Sequence, residues 1–162
     1  MKTAPFLLSL TIITFAGAAH LSYAANAPAS AKPAAATIAT TDGEAAGTRI
    51  DVQQLKRVSG DALMLKFTVH NDSDTQLGSN TFYENKGNTD DGVYLVDLAG
   101  KKKYSVVVDA SGNCLCSRGL DAIAAHSSAI LWAKFPAPPG DVTKIGVVVP
   151  HFIPMDDVPI SH

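Results

Sequence analysis

Cys114 and Cys116 are the residues of this chain whose type and spacing come closest to chemistry, since they are its only two cysteines and stand two positions apart. Thiols so placed can close a small disulfide, cycle as a redox dithiol, or clamp a soft metal such as Cu(I), for which His126, His151 and Met155 offer imidazole and thioether donors. In a regular strand, residues i and i+2 lie about 6.6 Å apart at Cα with roughly parallel side chains, whereas a disulfide brings the Cβ atoms to about 3.8 Å. The pair therefore closes only where Leu115 sits in a turn or bulge. Loop closure of so small a ring contributes only about 1.6 kcal/mol, so the expected role of a Cys114–Cys116 disulfide is to brace a loop, not to staple a core.

Little else in the sequence carries a reaction. The five histidines are scattered singly, and no His-Glu-x-x-His, Gly-x-Ser-x-Gly or phosphate-cradling glycine loop occurs. Asp90-Asp91 and Asp156-Asp157 lack the alternating acidic loop of a calcium site. The expectation is a protein without catalytic residues, metal or cofactor. Its candidate contacts with a partner are Trp132, which falls on the polar face of its strand, Lys101, Lys102 and Lys103 at a hairpin tip, and Tyr83 in a long polar connection.

The elements that must position these residues begin after an export signal. Lys2 supplies a positive n-region, Phe6 to Ala18 an apolar run of roughly 13 residues, and Ser22-Tyr23-Ala24 the small residues that a signal peptidase reads, so residues 1–24 are assigned as a signal peptide. The apolar run falls short of the roughly 20 residues of a membrane span. Export implies a periplasmic or secreted location and an oxidising milieu in which the two thiols can pair. Removing residues 1–24 takes away one of the 13 basic residues and none of the 15 acidic ones. The mature chain is then mildly acidic, which argues against a general nucleic-acid binder.

Residues 25–47 are Ala, Pro and Thr with almost no large side chain. They cannot bury enough apolar area to offset their ordering entropy and read as a disordered linker whose removal leaves folding intact. The folded domain is expected over residues 48–162. Within it, Ala62 to Asn71 alternates most cleanly, with Leu63, Leu65, Phe67 and Val69 on one face and Met64, Lys66, Thr68 and His70 on the other. Arg49 to Val58 reads as a strand with an irregularity before Leu55. Val93–Leu98 and Lys103–Val108 flank a hairpin turn at Ala99-Gly100-Lys101-Lys102 and, apolar on both faces, should lie centrally. Ser127–Phe135 and Thr143–Val149 alternate again, and the proline-rich tail from Pro150 suits a sheet edge. About seven short strands without a helical period predict an all-β Greek-key sandwich.

The succession LKFTVHNDSD, VYLVDLAGKKKY and AHSSAILWAKFPAPP, followed by a Val-rich strand, resembles the immunoglobulin-like domain of small exported bacterial proteins of unknown function. The ending NCLCS…FPAPPGDV…VPHFIPMDDVPIS is similar to modules found upstream of OmpA-like peptidoglycan-binding domains. The resemblance spans about residues 50–161 and implies an immunoglobulin-like β-sandwich. The expected function is an exported, non-enzymatic binding or accessory module of the bacterial cell envelope that meets a protein partner there, with no nucleic acid and no stable membrane insertion. Two other readings stand beside it: a periplasmic thiol or copper-binding protein acting through Cys114 and Cys116, and an immunity or inhibitor protein against a secreted toxin.

Overall fold

A computed structural model of the chain describes residues 36–81 and 92–162. They form ten strands: β1 (Ala39–Asp42), β2 (Thr48–Val58), β3 (Ala62–Asn71), β4 (Leu77–Gly78), β5 (Tyr94–Asp97), β6 (Lys102–Ser105), β7 (Ala122–Ile123), β8 (Ser127–Pro136), β9 (Lys144–Val148) and β10 (Met155–Pro159). One antiparallel sheet has the order β1-β2-β3-β8 and a second the order β10-β9-β5-β6, with β4 and β7 pairing as a small ribbon. The result is an all-β sandwich. The chain runs through β1, β2 and β3, crosses to the β5–β6 hairpin, returns to place β8 beside β3, and crosses again to β9 and β10.

The alternation of β3 does what its period requires. Leu63, Leu65, Phe67 and Val69 are fully buried, and the inward residues of the neighbouring strands, among them Ile50, Val52, Leu55, Leu131, Ala133 and Phe135, join them in one core. The second sheet supplies Leu95, Tyr104, Ile145, Val147 and Val158 from the opposite side. The irregularity in β2 is a register shift between Val52 and Gln54, a bulge that turns both Gln53 and Gln54 away from the core and returns Leu55 to it. Where β3 ends, the buried Asn71 donates from Nδ2 to the carbonyls of Thr75 (2.8 Å), Ile123 (3.1 Å) and Ala124 (3.0 Å), and its Oδ1 accepts from Ser73 Oγ (2.6 Å). A buried amide so fully satisfied ties the β3 exit to β7.

Two expectations are corrected. The stretch read as linker reaches into the fold: Ala39–Asp42 pairs with Val52–Arg49 as β1, Ile38 N donates to Val52 O (2.8 Å) and Glu44 N to His151 O (2.8 Å). The folded unit therefore starts before Thr48. An Ala-Thr-Thr-Asp strand needs no apolar period, because as an edge strand it is held by one ladder of backbone bonds and buries little. Residues 25–35 of the expected linker and the signal segment lie outside the described residues, as does Tyr83. Second, the β6 arm is an edge strand, not a central one, and its outward residues are exposed; beyond Ser105 the apolar run leaves the sheet and crosses to β8.

That crossing closes one side of the sandwich. Val107 N donates to Lys134 O (2.8 Å), Lys134 N to Leu115 O (2.9 Å) and Leu115 N to Val107 O (2.8 Å), a closed ring of three backbone hydrogen bonds at the edge of β8. On the other side Ile153 N reaches Asp42 O (3.2 Å) and Thr41 Oγ1 reaches Ile153 O (3.0 Å), joining the β9–β10 connection to β1. These bonds occupy backbone groups of β8 and β1 that an open edge would present to another chain. Truncating the chain to begin at Gly47 strips β1 and its bonds. With each hydrogen bond worth about 1 kcal/mol net and each kcal/mol about 3–6 °C for a domain of this size, the loss of several bonds should lower the melting temperature by more than about 10 °C; an unchanged melting temperature would return β1 to the status of a linker.

Candidate functional site

The disulfide is built into the junction just described. Cys114 faces Val108 and Cys116 faces Ala133 as isolated bridges on either side of Leu115, and the two cysteines are bonded to each other with Cα atoms 5.3 Å apart. That separation is well under the regular-strand value, so the chain is kinked at Leu115, the condition for closure. Asp109 organises the preceding turn, accepting from Ser111 N (2.9 Å) and Asn113 N (2.8 Å); the backbone bond from Asn113 above all holds its carboxyl below the ordinary pKa. Both cysteines point inward, with exposures of 6% and 5%, and belong to the core.

This burial bears on the thiol and copper readings. Two cysteines so little exposed offer an attacking thiolate or an exchanging metal little access. The other candidate ligands are engaged elsewhere: His126 Nε2 lies 3.0 Å from Asp74 Oδ1, His151 Nδ1 lies 3.2 Å from Glu44 Oε2, and Met155 is buried. Among the described residues no three His, Cys, Asp or Glu side chains converge as a metal centre requires.

The nearest approach to an acid–base constellation lies at one end of the first sheet. His70 Nε2 stands 3.0 Å from Asp51 Oδ2, without the alignment of a hydrogen bond. Asp51 also accepts from Arg49 Nη1 and from Thr40 Oγ1 (2.8 Å). Burial pushes the Asp51 carboxyl up, but the bonds from Arg49 and Thr40 and the nearby cations outweigh it, and its pKa lies below the ordinary value. Ser128 is the cross-strand partner of His70, yet among the described residues no hydrogen bond joins them. Asp51 of β2 thus meets Thr40 of β1 and His70 of β3, joining the three strands at this end of the sheet.

The sequence-derived contact residues separate in space. Trp132 lies outward on β8, in the first sheet, and is 37% exposed. Lys101, Lys102 and Lys103 occupy the β5–β6 hairpin of the second sheet, where Lys102 Nζ sits 5.0 Å from the Tyr104 ring centroid and Lys103 Nζ 3.7 Å from that of Tyr94. Two of the three ammonium groups are thus already held over aromatic rings of their own sheet. The structure does not bring the lysine hairpin to Trp132.

What it does bring there was missed residue by residue. Antiparallel register sets Lys66 opposite Trp132 and Met64 opposite Lys134, while on the far side of β3 Gln54 faces Lys66 and Lys56 faces Met64. Aromatic, thioether and ammonium groups therefore alternate like squares of a board, with cross-strand neighbours about 5 Å apart at Cβ. A groove of about 450 Å³ is lined by Gln54, Met64, Lys66, Trp132 and Lys134. A second, of about 540 Å³, lies between the segment Cys116–Leu120 and the β8 residues Ala129–Trp132, and Trp132 forms part of both. The outward faces of β3 and β8 were legible as alternation; which outward residue meets which depends on the pairing of strands some 65 positions apart. No family model, curated protein or solved structure matches this chain.

Two outcomes test this account. The disulfide should resist millimolar reductant in native buffer and yield two alkylatable thiols only in denaturant, as read by intact mass; and replacing both cysteines with Ser should destabilise more than replacing both with Ala, since each buried hydroxyl without a partner costs about 1–3 kcal/mol. Asp51 gives a pH dependence of known sign. With its folded pKa below the unfolded value of about 3.9, its contribution is present above that value and is lost as pH falls through the folded pKa. Asp51→Asn should therefore be less stable than wild type at pH 7 in urea melts, with the gap narrowing below about pH 4.

Proposed function

We propose that this protein is a non-enzymatic binding or accessory module of the bacterial cell envelope, periplasmic or secreted, which engages a partner through the outer face of the β2-β3-β8 sheet centred on Trp132. The observation that carries the proposal is the indole itself: a large aromatic group left on a sheet face, between two grooves, with half-buried lysines around it. Aromatic side chains in such settings are the usual anchors of recognition surfaces. Ile130, 60% exposed, and Leu115 extend the apolar area on either side. The export signal read from residues 1–24 supports the location, as does a disulfide suited to an oxidising compartment. The immunoglobulin-like assignment implied by the motif resemblance belongs to the same proposal, supported by the crossing from β3 to the β5–β6 hairpin and back to β8.

The test compares wild type with Trp132→Ala in capture from bacterial envelope extract. The variant should melt within about 1 kcal/mol of wild type, as surface substitutions do, and its binding should fall at least tenfold, in keeping with the loss of an anchoring aromatic. Equal capture by both proteins would refute the surface, and turnover of a substrate in a panel of envelope hydrolases would refute the non-enzymatic reading.

A further inference from the structure

The face around Trp132 is charged in a way the rest of the chain is not. The whole sequence is formally −2, yet β3, β8 and the segment from Asn113 to Leu120 contain no acidic residue, and β2 contains only Asp51. Asp51 is already engaged by Arg49, Thr40 and His70 at the other end of the sheet. Lys56, Lys66 and Lys134 form no ion pair among the described residues. Lys66 and Lys134 sit on the diagonal of adjacent strand pairs, where like charges repel. Their stems lie half-buried beside Met64 and Trp132, leaving the ammonium groups at the surface. Folding therefore assembles three cations with no acidic partner among the described residues, around the one tryptophan of the chain.

Resting on the surface proposed above, we propose that its ligand is an acidic glycan, a linear polysaccharide bearing carboxylates at regular intervals, laid across the strands with one sugar ring against the Trp132 indole. Two features favour a glycan over an acidic peptide. The first is the closed edge: Ser117 N bonds to Trp132 O (2.8 Å) and Lys134 N to Leu115 O (2.9 Å), so an extended peptide finds no free ladder beside β8, and the surface offers side chains alone. The second is spacing. Lys56, Met64 and Lys134 lie in one row across three adjacent strands, so the two lysines stand two strand spacings apart, about 9.5 Å, the order of one disaccharide repeat. A polymer carrying one carboxylate per sugar or per disaccharide meets both lysines while its apolar C–H face covers Met64. Gln54 at the groove end supplies an amide that can both donate to and accept from sugar hydroxyls.

The experiment uses the full chain and its single tryptophan as reporter. Oligogalacturonate, oligoalginate and hyaluronan oligosaccharides are titrated separately while Trp132 emission is followed, beside methyl-esterified oligogalacturonate and poly-glutamate. At least one acidic oligosaccharide should shift or quench the emission saturably, and the effect should weaken as salt is raised through the range where surface charges are screened. Its esterified counterpart should bind at least tenfold more weakly. Replacing Lys56, Lys66 and Lys134 together with Gln should weaken binding at least tenfold without lowering the melting temperature, because the substitution relieves repulsion. Failure of all three acidic oligosaccharides, or equal binding of acid and ester, overturns the glycan. Saturable, lysine-dependent binding of poly-glutamate without oligosaccharide binding would also overturn it while leaving the Trp132 surface intact, whereas loss of the surface itself is read from the Trp132→Ala capture.

Discussion

The register of β3 is the constraint on which the rest of the molecule depends. It is paired along its whole length on both sides, Ala62–Asn71 running against Val58–Thr48 and against Pro136–Ser127. Because side chains alternate with a period of two, that pairing decides at once which residues of three strands are dry. A slip of one position on either side would turn Phe67 or Phe135 into solvent and Lys66 or Trp132 into the core. The arrangement of Lys66 beside Trp132 is therefore a consequence of the same pairing that buries Leu65 and Phe67; the core and the candidate surface are specified together.

The second sheet meets the first at its sides as well as through the core. At the β8 edge the three-residue ring of Val107, Leu115 and Lys134 divides the hydrogen-bonding groups of Lys134 between two segments, its N–H to one and its C=O to the other. A strand cannot stay straight while doing this, and the kink at Leu115 is where the disulfide sits. The covalent link holds Cys114 and Cys116 on the inward side of the kink and leaves Leu115 outward. Its contribution is local and geometric: it fixes the segment that seals the edge of β8, and so also the wall of the groove along Trp132.

Much of this was legible in the chain and some of it could not be. The cleanly alternating stretches, Ala62–Asn71 and Ser127–Phe135, became β3 and β8, and their inward residues became the core, since alternation is a local signal imposed by burial on one face. β1 was invisible for the converse reason: Ala39–Asp42 joins the sheet through backbone groups, which every residue has, and its side chains carry no period. Lys103–Val108 misled because a continuous apolar run suits a central strand and equally suits a segment that leaves one sheet to enter another. The lysine hairpin was singled out because its three cations adjoin in sequence, while Lys56, Lys66 and Lys134 are distributed over three strands and become neighbours only through long-range register.

Two adjacent residues of β2 show how the surface divides. Arg57 donates through Nη1 to Pro138 O (2.8 Å) and through Nη2 to Pro139 O (2.7 Å) and Val142 O (3.1 Å), fixing the turn between β8 and β9. A guanidinium so committed belongs to the fold, and its removal would leave three carbonyls to find other donors. Lys56, one position earlier, has no such commitment among the described residues and points to the opposite face. The same contrast separates Asp51, Asn71 and Asp109, each holding backbone or a neighbouring strand, from Lys66 and Lys134. Where a polar group is satisfied by its own chain, the structure accounts for it. Lys56, Lys66 and Lys134, without an ion pair among the described residues, gather at one place on the first sheet around an indole, and stability alone gives no reason to keep three like charges there.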